Sequence, residues 1–273
     1  MQIKHLVRQL LVSQGLQLSK SKPTSDENLR AFFSTLRSGS ANVDLMRVGG
    51  NGDGGYLLPD NLDGVTTCFS PGVADSSGFE WELAEKFGMK AFLADYSVDG
   101  PAVENENFIF VKKFLGSWND EQTIRLEDWV EGIDVDSQGK GLGTGDYLLQ
   151  MDIEGAEYPV LIDTPDHIFK KFRIVTIEFH YLERVFDRNE FSIIKMIFDR
   201  LLQHFAIVHV HPNNCCPVFK RGEIEMPSVI EFTFLRRDCL TNPVTPLTFE
   251  AHPLDQRNVP QKPDIELADC WRN

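Results

Sequence analysis

YLLQMDIEGAEYPVL, residues 147 to 161, changes character twice within a short span. Tyr147 to Met151 are mostly apolar. Three carboxylates follow at once, Asp152, Glu154 and Glu157, and then Tyr158, Val160 and Leu161 return at helical spacing. Such a run predicts a buried strand, a charged turn and a helix from about Ala156. Negative charge that opens a helix is favoured by the helix dipole, and this accounts most readily for Glu157. It does not account for Asp152, which falls at the strand tip. A carboxylate that faces a ligand crevice there can hold a cationic group or a metal, or take a proton.

Strands and helices alternate on either side of this stretch. VTTCFS (from Val65), KAFLAD (from Lys90), NFIFVKKFLG (from Asn107) and RIVTIEFH (from Arg173) read as further strands. SSGFEWELAEKFG reads as a helix with Phe79, Leu83 and Phe87 on one face and Gly88 as its cap. QTIRLEDWVEG is a strand that runs into a helical turn, GKGLGTGD (139–146) is a loop, and residues 189–203 form an amphipathic helix. This alternation implies βαβ units and a parallel sheet. The last strands, FAIVHVH and SVIEFTFLRR, are joined without an evident helix, which predicts a terminal antiparallel hairpin. Upstream, a helix is expected from Glu27 to Arg37, capped by Ser25 or Asp26. The stretch MRVGGNGDGGYLLPD (46–60) then packs five glycines into Gly49–Gly55, a mark of tight turns or close backbone approach. The domains are expected as a helical extension over 1–45, a catalytic-type α/β domain over 46–240 and an irregular tail over 241–273 packed on it.

The chain has 273 residues and a formal net charge of −14. That charge argues against a nucleic-acid reader, which needs a basic stripe to neutralise phosphates. No apolar run approaches the length of a membrane span. Five cysteines fit no zinc spacing, and Cys215 and Cys216 are adjacent, so reduced thiols and a cytoplasmic location are expected. Ile3, Leu6, Val7, Leu10 and Leu11 share one helical face, suited to docking on the body or on a second subunit of a homodimer.

Ligands of an open α/β sheet bind beyond the carboxyl ends of its strands. The informative residues are therefore those that follow each strand. They are the Gly72 turn, Asp95, the pair Asp152 and Glu154, the group Glu178, His180 and Tyr181, and then His209, His211 and Asn213. Gly72 lets the backbone approach a ligand, and Asp95 is placed to accept the two ribose hydroxyls of an adenosine. The turn lacks a full G-x-G-x-x-G, which weakens a dinucleotide fingerprint.

LLQMDIEGAEYPVL closely resembles the strand-four motif of FkbM-type methyltransferases, an apolar strand followed by Asp-x-Glu-Gly-Ala-Glu. TIRLEDWV, through Leu126, Glu127, Asp128 and Trp129, resembles the element that precedes it, and IVTIEFHYL resembles the fifth strand. RVGGNGDGGYLL resembles the lead-in of a related branch, so the likeness spans roughly residues 46 to 235. It implies a Rossmann-like, seven-stranded class I methyltransferase sheet, mostly parallel with a C-terminal antiparallel hairpin. It implies S-adenosylmethionine as methyl donor and a small-molecule acceptor hydroxyl, often on a sugar. On this likeness Ser70, Pro71, Gly72, Val73 and Asp75 form the donor turn, Asp95 takes the ribose, and Asp152 lies near the methionine end and the acceptor. The chain departs from the pattern at FSPGVADSSGFE, where Ser70 stands in the place of an acid. Asp75, Glu80 or Asp53 is then expected to supply that carboxylate.

Transfer of a methyl group from a sulfonium requires an aligned acceptor oxygen and removal of its proton. His180 is the expected base, with Asp152 to orient it or to accept the proton itself. A core histidine bonded to backbone is the plain alternative. Asp152, Glu178 and His180 could also bind a divalent metal, Mg or Mn, through oxygens and a nitrogen. Asp53, Tyr56, Glu154, Tyr181 and His211 are expected on the acceptor side. The glycine-rich segment is expected either as a lid, with Asp53 and Tyr56 closing over a ligand, or as a tight turn. Two other functions fit the same sheet. One is a non-catalytic nucleoside-binding or assembly protein, and the other is a nicotinamide-dependent oxidoreductase.

Overall fold

The computed structural model describes residues 22–134, 145–241 and 244–272. The expected N-terminal amphipathic helix and most of the 139–146 loop lie outside the described residues. The first described helix, α1 (Asp26–Ser38), starts where Ser25 accepts the Asn28 N–H at 3.2 Å. Its apolar residues Leu29, Phe32, Phe33 and Leu36 recur at helical spacing and are buried. Phe32 meets Phe198 edge-on at 5.5 Å between centroids, and Phe33 lies 4.7 Å from Trp271. Two strands, β1 (Leu45–Val48) and β2 (Tyr56–Pro59), then pair antiparallel, so the glycine cluster is the loop of a hairpin.

The main sheet has seven strands. In chain order they are β3 (Val65–Pro71), β4 (Lys90–Ala94), β5 (Phe108–Val111), β8 (Asp146–Met151), β9 (Phe172–Phe179), β10 (Phe205–Pro212) and β13 (Ile230–Arg236). In space they lie in the order β10-β13-β9-β8-β3-β4-β5. The pairs around β3, β4, β5, β8 and β9 are parallel, whereas β13 runs antiparallel to both β9 and β10. This is the mostly parallel sheet with a reversed final strand expected from the sequence. The central strands carry near-continuous apolar residues because both faces are covered. On one face α6 (Arg188–His204), capped by Asp187, presses Phe198 against Phe179 and Phe232. On the other, the β1–β2 hairpin and α2 (Gly78–Phe87) cover Cys68, Leu93 and Val208.

Some expectations needed adjustment. The segment from Asn107 is not one strand. After β5 the chain passes Lys112 and Lys113 and leaves the sheet as β6 (Phe114–Gly116), which pairs in parallel with β7 (Thr123–Arg125). Phe87, placed on the buried face of its helix, is 40% exposed near the helix end. The link between the last two sheet strands holds a small hairpin of its own, β11 (Val218–Arg221) with β12 (Ile224–Pro227). Among the described residues no helix is long and apolar enough to cross a membrane.

Candidate active site at the strand tips

The carboxyl ends of β3, β4 and β8 open onto a cavity of about 850 Å³. Each tip is shaped by unusual backbone. Among the described residues four non-glycine residues have positive φ, and Ala74 (42°), Glu154 (56°) and Tyr181 (59°) directly follow β3, β8 and β9. Each such residue costs about 1–3 kcal/mol and persists where the surroundings enforce it, often at functional sites. Gly72 (φ 84°) has no room for a side chain, because a methyl group there would overlap the Asp152 carbonyl oxygen. The first and fourth strand tips are thus in backbone contact.

Of the residues expected to bind a methyl donor, Gly72, Val73, Asp75, Glu80 and Asp95 all line the cavity. Asp95 is occupied with its own loop. Its Oδ2 accepts the Ala74 N–H at 2.9 Å, and its Oδ1 accepts the Ser97 N–H and hydroxyl at 2.7 and 2.6 Å. A carboxylate offers about four lone-pair sites, so one on Oδ2 stays free for a ribose hydroxyl rather than the pair expected. Ser70 and Pro71 are buried behind the turn and are not among the lining residues. The Ser70 hydroxyl lies within a short hydrogen bond of Glu80 Oε1 and 2.6 Å from Gln150 Oε1. One hydroxyl hydrogen cannot serve two acceptors. Ser70 donates to one of the pair, and burial raises the Glu80 carboxyl against the pull of its hydrogen bond with Ser70. Gln150 in turn donates to the Tyr56 hydroxyl at 3.1 Å. Glu80 is thus a buried carboxyl that lines the cavity beside the first turn. Phe114, Ser117 and Trp118 line the far wall and were not singled out in the sequence.

The other end of the cavity is acidic. Asp53 from the glycine-rich loop, Tyr56, Asp152 and Glu154 line it. Behind Asp152, and like Glu178 outside the cavity lining, stands His180. Its Nε2 lies 3.8 Å from Asp152 Oδ1, 3.6 Å from Glu178 Oε1 and 3.4 Å from Glu154 Oε2. Its Nδ1 lies 3.1 Å from Glu157 Oε1, which also accepts the Gly155 N–H at 3.1 Å. Glu157 opens its helix as expected, yet it is fully buried and sets the orientation of the imidazole. With Nδ1–H given to Glu157, the Nε2 lone pair faces the acids. One ligand atom each from Asp152, Glu178 and His180 lies within 4.8 Å of the others, a spacing that fits a metal ion.

Burial pushes the Asp152 carboxyl up to about 7 against the pull of His180, with the charges of Glu154, Glu157 and Asp53 adding to the rise. Burial also raises Glu178 well above the carboxylate range, reinforced by Asp152, Glu231 and Asp53. Burial alone would lower His180, but the hydrogen bond and charge of Glu157, with Asp152 and Glu154, raise it.

Three residues at this end gave no signal in the sequence reading. Glu231 is buried directly opposite Glu178 in the β13–β9 pairing, and burial pushes it up to about 7 against His211, Asn258 and Arg47. Asn258, from the C-terminal segment, donates to Glu231 Oε1 at 2.6 Å and to Asp53 Oδ1 at 3.2 Å. Asp255 lies 2.8 Å from His209 Nε2 and 3.6 Å from His211 Nδ1. His211 pairs with Glu231 across the sheet, outside the cavity lining. Tyr181 also lies outside it, packed over Gly155 beneath the Arg184 guanidinium.

The mostly parallel seven-stranded sheet with its reversed final strand, and the cavity at its strand tips, are the Rossmann-like architecture expected from the sequence. Residues 120–205 match the Methyltransferase FkbM domain, from β7 to the end of α6, so the family likeness carried by Asp152–Glu157 is borne out over that segment. The chain matches no curated protein. Thirteen chains of solved structures are similar, among them the following two. One is a fibrillarin/Nop5p complex, with 16% identity over 66% of this chain and 76% of that chain and a TM-score of 0.37. The other is precorrin-6y C5,15-methyltransferase from Geobacter metallireducens GS-15, with 11% identity over 80% and 94% and a TM-score of 0.32. Overlap this loose assigns no ligand or role.

Proposed function

We propose that the chain is an S-adenosylmethionine-dependent O-methyltransferase that acts on a hydroxyl of a small molecule, a sugar or a sugar-containing glycan precursor. The observation that carries this reading is His180, held through Nδ1 by buried Glu157 with Nε2 turned to Asp152 at the acceptor end of the cavity. The donor supplies a methyl group already activated on a sulfonium. The residues of this chain then have to bind, align and remove a proton. Gly72, Val73 and Asp75 present the turn to the donor, and Asp95 holds that turn through the Ala74 N–H while it keeps a lone pair for the ribose. Asp53 and Tyr56 close the opposite side, and Glu154 stands at the rim. His180 Nε2 receives the hydroxyl proton, and the Asp152 and Glu157 carboxylates stabilise the imidazolium that forms. A second reading places Mg or Mn at Asp152, Glu178 and His180 instead, with His180 Nε2 a ligand and not the base; its support is that Asp152 Oδ1 and Glu178 Oε2 are buried without hydrogen-bond partners among the described residues. Such an ion would acidify the bound hydroxyl.

A methyl-transfer screen over free and nucleotide-linked sugars, with and without chelator, tests the reading on wild type and His180→Ala. The variant is expected to lose about 10²–10⁴-fold in turnover, the usual contribution of a positioned base, while donor affinity by calorimetry stays within about threefold. Unchanged turnover removes His180 from the mechanism. No donor affinity in the wild type removes the function.

A further inference from the structure

The acceptor end of the cavity has a chemical bias that goes further than the proton acceptor. Asp53 and Asp152 line it, and Glu178 and Glu231 stand behind them: Glu178 Oε1 lies 3.6 Å from His180 Nε2 beside Asp152, Glu231 pairs with Glu178 across the sheet, and Asn258 joins Glu231 to Asp53. The charge of Asp53 acts on each of the other three. The nearby cations are already engaged. Arg47 donates from Nε to the Gly50 carbonyl at 2.5 Å and from Nη2 to the Gly52 carbonyl at 2.8 Å. His180 is held by Glu157, and His211 faces Asp255.

Three buried oxygens there have no hydrogen-bond partner among the described residues: Asp152 Oδ1, Glu178 Oε2 and Asn258 Oδ1. Glu178 is 4% exposed and Asn258 7%. All three atoms are acceptors. A buried acceptor left without a donor costs about 1–3 kcal/mol, and more when it is charged. A positive centre between Asp152 and Glu178, whose ligand atoms lie within 4.8 Å of each other, satisfies such acceptors, whereas a phosphate would meet only repulsion and further lone pairs.

We propose that this chamber is a cation site, filled by a divalent metal ion or by a protonated amine that the acceptor carries beside its reacting hydroxyl, and that it turns away phosphorylated acceptors. The word acceptor here rests on the methyl-transfer reading, but the site itself does not. Asn258 shapes it from the C-terminal segment by fixing Asp53 and Glu231 with one amide nitrogen, which leaves its oxygen for the ligand.

The test uses the full chain and three titrations. Mn²⁺ alone is followed through the electron-paramagnetic-resonance signal of the free ion. Glucosamine, glucose and glucose 6-phosphate are compared by calorimetry in EDTA. S-adenosylhomocysteine is titrated into the same preparations. Stoichiometric Mn²⁺ binding identifies the ion as the occupant. Glucosamine that binds at least tenfold tighter than glucose in EDTA identifies the amine. Whichever cation binds should bind at least tenfold more weakly to Glu178→Gln, and Asp53→Asn on the loop gives the same comparison should the buried variant fail to fold. The proposal is overturned if neither Mn²⁺ nor glucosamine binds the wild type, if the variants bind as well as the wild type, or if glucose 6-phosphate binds more tightly than glucose. S-adenosylhomocysteine binding without cation binding sinks this inference alone, while its absence sinks the methyl-transfer reading.

Discussion

The two ends of strand β8 carry the same residue in opposite circumstances. At its start, Asp146 is held 2.6 Å from Arg173 Nη2 and 2.7 Å from Arg236 Nη1, the last two residues belonging to the neighbouring ends of β9 and β13. Just past its finish, Asp152 meets only carboxylates and one histidine, and its Oδ1 lacks a hydrogen-bond partner. Burial tends to raise both carboxyls. At the Asp146 end the hydrogen bonds and charges of Arg236 and Arg173 win and lower it, while at the Asp152 end burial wins and lifts it to about 7. The three strands thus place complementary charges at one edge and leave uncompensated negative charge at the other. The paired edge serves stability. The unpaired edge stores free energy that a ligand can release.

The sharpest way to break this comparison is to make the same substitution at both ends. Asp152→Asn should lower turnover at least about 100-fold, because it removes the carboxylate that stabilises a protonated His180. It should nevertheless raise the melting temperature near pH 8, since it relieves a buried charge worth on the order of 1–3 kcal/mol. Asp146→Asn should do the reverse. Stability should drop by about 1 kcal/mol, as expected for a partly exposed charge pair, and turnover should hold. Thermal melts and initial rates on the two variants decide it. If Asp152→Asn destabilises as much as Asp146→Asn, the tip carboxylate is a structural partner and not a strained one.

Next in size is the dependence of stability on pH. Asp152, Glu178 and Glu231 have folded pKa values raised above their ordinary range, so between about pH 4 and 7 the folded chain binds more protons than the unfolded one. Stability from these groups therefore falls as pH rises through that window, by up to about 1.4 kcal/mol per pH unit for each fully shifted acid. Asp255 works the other way. Its carboxylate is kept low because the hydrogen bonds and charges of His209 and His211 outweigh burial, so its contribution is present above about pH 4 and fades in stronger acid. His180, raised, contributes below about pH 6.5 and loses that contribution as pH climbs past its folded value. The acids outnumber the opposing groups in the neutral range, so denaturant midpoints should decline from pH 5.5 to pH 8. A midpoint that climbs over that interval would mean that the tip carboxylates are compensated in solution.

How much of this was legible in the sequence follows from the direction of the chain. Gly72, Asp95, Asp152 and His180 were found because each follows a parallel strand, and in such a sheet the residues after the strands share one edge. The same habit misses Glu231. Strand β13 is reversed, so its tip-side residue stands at its start, inside an apolar run that reads as core. Asn258 and Asp255 were out of reach for another reason. The C-terminal segment has no periodicity, and only the folded chain shows it stitched to β10 and the glycine-rich loop. Glu157 was half-read. Its place at a helix start was clear, but its second role depends on His180 arriving from 23 residues away. Ser70 shows the limit of motif alignment, since a buried carboxyl bonded to it stands ten residues on, at Glu80.

The smallest expected effect belongs to Glu154, a tip carboxylate that stands in water. Its side chain is 85% exposed although its Oε2 lies 3.4 Å from His180 Nε2. An exposed ion pair contributes about 0–1 kcal/mol because solvent screens it, and that caps its influence on the imidazole. Glu154→Gln keeps the shape and the left-handed backbone of the turn while it removes the charge. Turnover should change by less than about threefold, the upper part of that energy range, and the pH at which activity rises should move slightly downward as His180 loses one negative neighbour. Raising the salt concentration on wild type should reproduce the same small shift, since screening acts on this contact and not on the buried ones. A tenfold loss with an unchanged pH profile would instead mean that Glu154 touches the acceptor directly, and the boundary between screened rim and buried chamber would have to be redrawn one residue further out.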